Sequence, residues 1–260
     1  MYEMRYVAFI DILGFKNKVY KSVYDSSELH RIENVLKYIQ ELKKQNDEDS
    51  YSSKYVGREF SMFSDSIVIS YPAYGQGNAF NILIDLAHIC LEILAKGFIL
   101  RGGITIGKLF HKDVVCFGPA MNMAVEMEKN AKYPRIIVDQ NVLSNGLRYR
   151  GIANNISEEK DFLSILVKQD RGIIGNDSIP VYILDYLSLF NEFDDFSYYI
   201  MLMEETRNFI ITEFGNAFLI NDLDKRNNIQ EKYVWFANYY NRTIKNIIPN
   251  YYEQYEIKFE

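Results

Sequence analysis

The chain has 260 residues and a formal net charge of −6, with 48% hydrophobic and 25% charged residues. That balance belongs to a folded globular chain rather than a disordered one, and the acidic excess argues against a surface built for nucleic acid. The two cysteines, Cys90 and Cys116, lie in apolar runs without CxxC spacing, so they read as core thiols rather than a disulfide or zinc framework.

The N-terminal stretch MYEMRYVAFIDILGF lacks a signal-peptide cleavage pattern, and the apolar runs fall short of the ~20 residues of a membrane span. The expectation is a soluble, cytoplasmic protein with neither a membrane nor a nucleic-acid partner. Tyr6–Leu13 is apolar and β-rich and is closed by Gly14, which predicts a buried strand. Leu29, Ile32, Val35, Leu36, Ile39 and Leu42 recur at helical spacing, predicting a helix over Ser26–Lys44. A polar loop is expected over Gln45–Ser53. Glu59–Phe63 and Ser66–Tyr71 then form a hairpin about Ser64-Asp65.

Asn78–Lys96 reads as a strongly apolar helix stopped by Gly97. Phe98–Gly107 and Asp113–Phe117 are predicted strands with a turn at His111-Lys112. Gly118-Pro119 opens a helix to about Lys132, and Arg135–Val138 is a further strand. This succession predicts an α+β fold, a ferredoxin-like sandwich with an added hairpin. Two short strands are expected around Phe162–Val167 and Val181–Leu184, closing a first unit over 1–185. Helices over Phe193–Phe214 and Ile229–Ile247 then form a helical extension over 186–260 packed on the core or on a partner subunit.

Two carboxylates stand out. Asp11 lies within an apolar strand, where an ionised side chain needs a partner, and Asp65 sits at a hairpin tip between strands of Phe, Ile and Val. Taken singly, Asp65 is equally explained as turn chemistry, and Asp11 as a cap or buried ion-pair member. Taken together, in this strand order, they converge at one end of the sheet. Two carboxylates with a backbone carbonyl and substrate phosphates form an oxygen-rich site suited to two Mg²⁺ or Mn²⁺ ions.

Other constellations lead nowhere. His30, His88 and His111 have no zinc spacing, Gly102-Gly103 and Gly107 form neither a P-loop nor a GxGxxG, and no G-x-S-x-G elbow surrounds Ser64 or Ser66. Lys16, Lys18 and Lys21 read as a solvated helix face, and the Tyr-rich stretch from Tyr233 to Tyr240 as a packing face.

The segments FIDILGF, FSDSIVIS, LRGGITIGKLF and FGPAMNMAVEMEKNAKYPRIIV, over roughly residues 5–140, occur in an order and spacing that resembles the class III nucleotidyl cyclases. The resemblance implies Asp11, Asp65 and the Ile12 carbonyl as metal ligands. It also implies that Phe9 to Phe15 pass beneath a triphosphate and that Asn122 acts from a second subunit of a homodimer. Three positions depart from the family. Ser61 stands where adenylyl cyclases carry a purine-reading Lys, Val115 where they carry its Asp partner, and Glu126 where a transition-state Arg is expected. Arg101, Arg135 and Arg58 are the candidate replacement cations.

These departures resemble the bacterial pyrimidine cyclases of the Pycsar antiphage systems. That implies conversion of UTP, or alternatively CTP, to its 3′,5′-cyclic monophosphate, which activates a partner effector. Phe60 and Ser61 are then expected near the base. Competing readings are a non-catalytic cyclase-homology module, favoured by Glu126, and a diguanylate-cyclase-like or palm-type activity, disfavoured by FSDS in place of a GGDEF-like turn.

Overall fold

The computed structural model describes residues 1–48, 56–170 and 181–259. An eight-stranded sheet is built on β1 (Glu3–Ile12), whose Tyr6, Ala8, Ile10 and Ile12 point to one face and whose Val7, Phe9 and Asp11 point to the other. α1 (Phe15–Ser22) follows at once through Gly14, whose φ of 78° lies in the left-handed region open to glycine. Lys16, Lys18 and Lys21, read as a helix face, do lie on this helix, for which no bounds were expected. α2 (Ser26–Glu48) runs past the expected Lys44, and the remainder of the loop expected over Gln45–Ser53 lies outside the described residues.

β2 (Glu59–Phe63) and β3 (Ser66–Pro72) form the predicted hairpin, α3 (Asn78–Ala95) follows, and β4 spans Leu100–Lys112. β4 is longer than predicted, so its turn to β5 (Val115–Phe117) is at Asp113-Val114 rather than His111-Lys112. Then come α4 (Pro119–Asn130), β6 (Ile136–Val138) and the unpredicted α5 (Gln140–Arg148), capped by Asp139 accepting from the Asn141 N–H.

Phe162–Val167 is not a strand. It forms the end of α6 (Ile156–Leu166), which starts in a capping box between Asn155 and Glu158, and β7 (Val167–Asp170) follows. A short apolar run fits either period, and the box decides it here. β8 (Val181–Leu184) pairs with β7. α7 (Phe196–Asn216), α8 (Leu223–Ile247) and the single turn α9 (Tyr252–Tyr255) complete the chain. α8 starts earlier than Ile229 because Asp222 caps it, accepting from the Lys225 N–H.

The sheet order is β2-β3-β1-β4-β6-β8-β7, with β5 on β4. All neighbours are antiparallel except β4 and β6. The fold is α+β, as expected. One face carries the large core, where Ile32, Val35, Leu83 and Leu86 meet Tyr6, Ile10 and Ile69. Trp235, Phe236, Tyr239 and Tyr240 of α8 belong to that same core and are all but fully buried. α3 is long and apolar enough to cross a membrane, but 61% of it is buried against its neighbours, as in a core helix.

The opposite face carries α4, which packs chiefly on β1 and β4 over a small cluster of Val7, Val68, Leu109, Ala120 and Ala124. Close approach depends on missing side chains. A Cβ on Gly103 would lie 2.4 Å from the Met127 Cβ, and one on Gly107 would lie 3.2 Å from the Ala120 Cβ.

Candidate active site

Asp11 is the penultimate residue of β1, at the sheet end where the β2–β3 turn also lies. In register it stands between Ser66 of β3 and Arg101 of β4. The Ser66 hydroxyl donates to Asp11 Oδ1 at 3.0 Å. Asp65 occupies the hairpin turn beside Ser64, whose φ of 58° sets the left-handed conformation such tight turns use. The Ile12 N–H donates to the Asp65 carbonyl at 3.3 Å, tying that turn to the end of β1. The Ile12 side chain itself is buried in the helix-side core, so only its backbone faces the site.

The two carboxylates feel one another. Burial, then the negative charge of Asp65, pushes the Asp11 carboxyl up to about 6; the Ser66 hydrogen bond and Arg101 oppose this. Glu128, in the last turn of α4, is a third acid near Asp11 and also raises it. Its carboxylate is engaged by Arg101, whose Nε donates to Glu128 Oε1 at 2.6 Å and whose Nη2 also pairs with it. Glu128 was missed in the sequence, where it looks like any acid on an exposed helix turn.

The fit of divalent ions follows from these groups. The cluster is crowded with negative charge, its nearest cation is already committed to Glu128, and Asp11 is disfavoured as an anion until more positive charge arrives. Among the described residues no group of three His, Cys, Asp or Glu side chains forms a ready-made metal cage. Asp11, Asp65 and the Ile12 carbonyl are an oxygen-only donor set, leaving coordination positions for water and phosphate. Mg²⁺ and Mn²⁺ accept that pattern.

No protein-family model matches the chain, and no curated protein matches it. Among solved structures it is similar to the adenylyl cyclase CyaB from P. aeruginosa, with 15% identity and a TM-score of 0.46 over 71% of this chain and 94% of that one. It is also similar to the guanylyl cyclase Cya2, with 12% identity and a TM-score of 0.41 over 71% and 91%. An adenylate/guanylate cyclase/hydrolase from Silicibacter pomeroyi gives 16% identity and a TM-score of 0.40 over 70% and 95%. These are likenesses of outline below a TM-score of 0.5, and the functional reading rests on the side chains instead.

The remaining predicted site residues divide. Phe9 lies on the same face as Asp11, two residues earlier on β1, half-buried between Val68 and Gly103. Phe60 was expected beside the base, but its ring is 2% exposed and turned into the helix-side core. Neighbours on a strand face opposite ways, so Ser61 points to the other side. Ser61 is also buried and committed: its hydroxyl donates to the Asp113 carbonyl at 2.8 Å and lies 2.9 Å from His111 Nε2.

With its own proton given to Asp113, Ser61 accepts from His111 Nε2–H, which leaves Nδ1 to accept from the Ser70 hydroxyl at 2.8 Å. Ser70 in turn accepts from Arg5 Nε at 2.8 Å. Burial, then the neighbouring Arg5 charge, pushes His111 down to about 4, so the ring is neutral.

Of the three candidate cations, Arg101 alone is paired in register with Asp11; Arg135 is level with Arg101 across the parallel β4–β6 pair but is spent elsewhere. Arg58 Nε bonds Asp85 at 2.7 Å inside the helix-side layer, and Arg135 Nη1 bonds Asp170 at 2.6 Å; both guanidiniums are buried there. Asn122 and Glu126 lie on the exposed side of α4, one turn apart. Val115 is exposed on β5. The chain therefore brings Asp11, Asp65, Arg101 and Phe9 together and directs Asn122 away from them.

Proposed function

We propose that the chain is a metal-dependent nucleotidyl cyclase that converts UTP, with CTP as the alternative substrate, to the 3′,5′-cyclic monophosphate and pyrophosphate. The observation that carries this reading is the convergence of Asp11 and Asp65 at one end of the sheet, the first held by β1 and the second by the hairpin turn. Bound divalent ions would supply charge that acidifies the attacking 3′-hydroxyl and stabilises the departing pyrophosphate.

The protein's own part is positioning. Asp11 and Asp65 hold the ion end of the substrate, and the chain from Phe9 to Phe15 runs beneath the phosphates. The turn at Gly14 begins α1, whose first turn carries no acidic residue and has no side-chain cap to compete for its N–H groups. Arg101 balances Glu128 beside Asp11. Asn122 faces outward on α4, as it must if it serves the site of a second subunit, and the active form is accordingly a homodimer. The pyrimidine assignment is supported by Ser61 and Val115. One is a buried hydroxyl spent on His111 and Asp113, the other an apolar side chain, and neither presents the charges expected of a purine reader.

The biological setting, a cytoplasmic antiphage enzyme whose cyclic nucleotide activates a separate effector, belongs to the same proposal. The deciding assay incubates purified protein with each of the four ribonucleoside triphosphates and Mn²⁺, with the cyclic product separated and weighed by mass spectrometry. UTP should give the most product. Formation of cyclic AMP or GMP alone refutes the pyrimidine assignment, and no product from any triphosphate favours the non-catalytic module.

A further inference from the structure

We propose that Lys232, carried by the C-terminal extension, is a phosphate-binding residue of this site, its ammonium meeting the β- and γ-phosphates of the nucleoside triphosphate. The inference rests on the cyclase reading for the identity of the ligand, and on the following geometry for the residue.

A cavity of about 230 Å³ opens where β1 passes into α1. Leu13, Gly14, Asn17 and Lys18 line it from the sheet side, and Glu213, Lys232 and Tyr233 line it from α7 and α8. Leu13 and Gly14 directly follow Asp11 and Ile12, so the cavity lies along the chain from the carboxylate pair. Lys232 is also close enough to the site for the charge of Arg101, which is paired in register with Asp11, to act on it.

The charges around this cavity are unequally satisfied. Lys18 lies 3.6 Å from Glu28 and 3.9 Å from Glu213. Glu213 also accepts from the Tyr233 hydroxyl at 3.4 Å. Glu231, the acid next to Lys232, is held by Lys132 at 2.6 Å and by the Tyr133 hydroxyl at 3.0 Å. Lys232 itself has no hydrogen bond and no ion pair within 4.0 Å among the described residues. Burial, then the Arg101 charge, holds its ammonium below the usual lysine range, with Glu231 opposing this.

A half-buried ammonium that faces a cavity with no carboxylate within 4.0 Å is an unfavourable arrangement unless an anion enters. An anion that also contacts metal ions at Asp11 and Asp65 must be extended and multiply charged. A triphosphate chain meets both conditions. The same contact answers the absence of a cation at Glu126, because α8 supplies positive charge from the other side of the site.

The test is calorimetric titration of inorganic tripolyphosphate in Mg²⁺ into the full chain, as wild type and as Lys232→Gln and Lys232→Arg, alongside steady-state turnover of the preferred triphosphate. One lost charge-assisted contact predicts that Lys232→Gln weakens tripolyphosphate binding by about tenfold or more, and that Lys232→Arg restores most of it. KM should rise more than kcat falls, and the thermal midpoint of the ligand-free protein should not fall. Equal tripolyphosphate affinity in wild type and Lys232→Gln, in an enzyme that still turns over nucleotide, overturns the role of Lys232 and leaves the cyclase reading standing. Binding that depends on Lys232, without cyclic product from any triphosphate, supports the phosphate site and overturns the cyclase reading. A wild type that binds no tripolyphosphate overturns the phosphate site, and the cyclase reading then stands or falls on whether cyclic product is formed.

Discussion

Gly103 on β4 is where the packing of α4 and the geometry of the site can be tested by one methyl group. A Cβ there would lie 2.4 Å from the Met127 Cβ and 3.0 Å from the Ala124 carbonyl oxygen. Carbon atoms pack at about 3.5–4.0 Å, so α4 must retreat by roughly an ångström, because the blocking atoms are too near the backbone to rotate aside. Overpacking of this kind costs about 1–3 kcal/mol, and the lower entropy of the unfolded alanine chain returns about 0.4–1 kcal/mol. Gly103→Ala should therefore lose about 1–2 kcal/mol, a fall of roughly 2–8 °C in Tm for a chain of this size. At Gly107 the nearest atom is the Ala120 Cβ at 3.2 Å, which a small shift accommodates, so Gly107→Ala should fall within about 0.5 kcal/mol of wild type. The retreat of α4 also pulls Glu128 from Arg101, so Gly103→Ala should lose turnover beyond what its stability explains. Urea denaturation of both variants, with turnover measured well below the transition, checks this. Equal stability of the two variants would refute the described seating of α4.

Three further outcomes follow from the site and its surroundings. Asp65→Asn should reduce turnover by roughly a thousandfold or more with an unchanged circular dichroism spectrum, and near-normal activity would sink the metal assignment. His111, held at about 4 in the fold against an ordinary 6.5, binds its proton more readily when unfolded. Its contribution is therefore full above pH ~6.5 and is lost as pH falls toward ~4, on the order of 3 kcal/mol in all. His111→Gln should flatten the dependence of the urea midpoint on pH across that window, and parallel curves for the two proteins would contradict the buried neutral ring. Arg58→Met should cost about 3 kcal/mol, because it leaves Asp85 without its guanidinium, while KM per folded molecule stays the same; a raised KM would return Arg58 to the site.

The strand–helix succession through β6 was legible because each element carries its own period and its own stop. Ile32, Val35 and Ile39 repeat on one side of α2, Gly97 follows α3, and Pro119 opens α4. α1 has no such stripe: none of its residues is buried, and its Val19 and Tyr20 are exposed. α6 was lost for a different reason. Its apolar end, Phe162 to Leu166, matched a strand when read alone, although Asn155 and Glu158 already spelled a helix start.

The site was legible where a residue contradicts its local surroundings and illegible where only folding creates the relation. Asp11 is visible as a charge within an apolar strand. Phe60 is out of reach for a geometric reason: adjacent residues of β2 cannot both face one base, and pairing of Ser61 with Val68 puts Phe60 beside Ile69 in the core. No local pattern marks Glu128 or Lys232. The first is one of two acids on α4, and the second lies more than two hundred residues from Asp11 on a helix whose aromatic face dominates its sequence. What singles them out is the balance of charge after folding: Arg101 answers Glu128, Lys132 answers Glu231, and Lys232 is left facing a cavity. On the proposed reading, that balance sets the carboxylates of β1 and the hairpin against a cation of α8, and α7 and α8 then serve as a wall of the site.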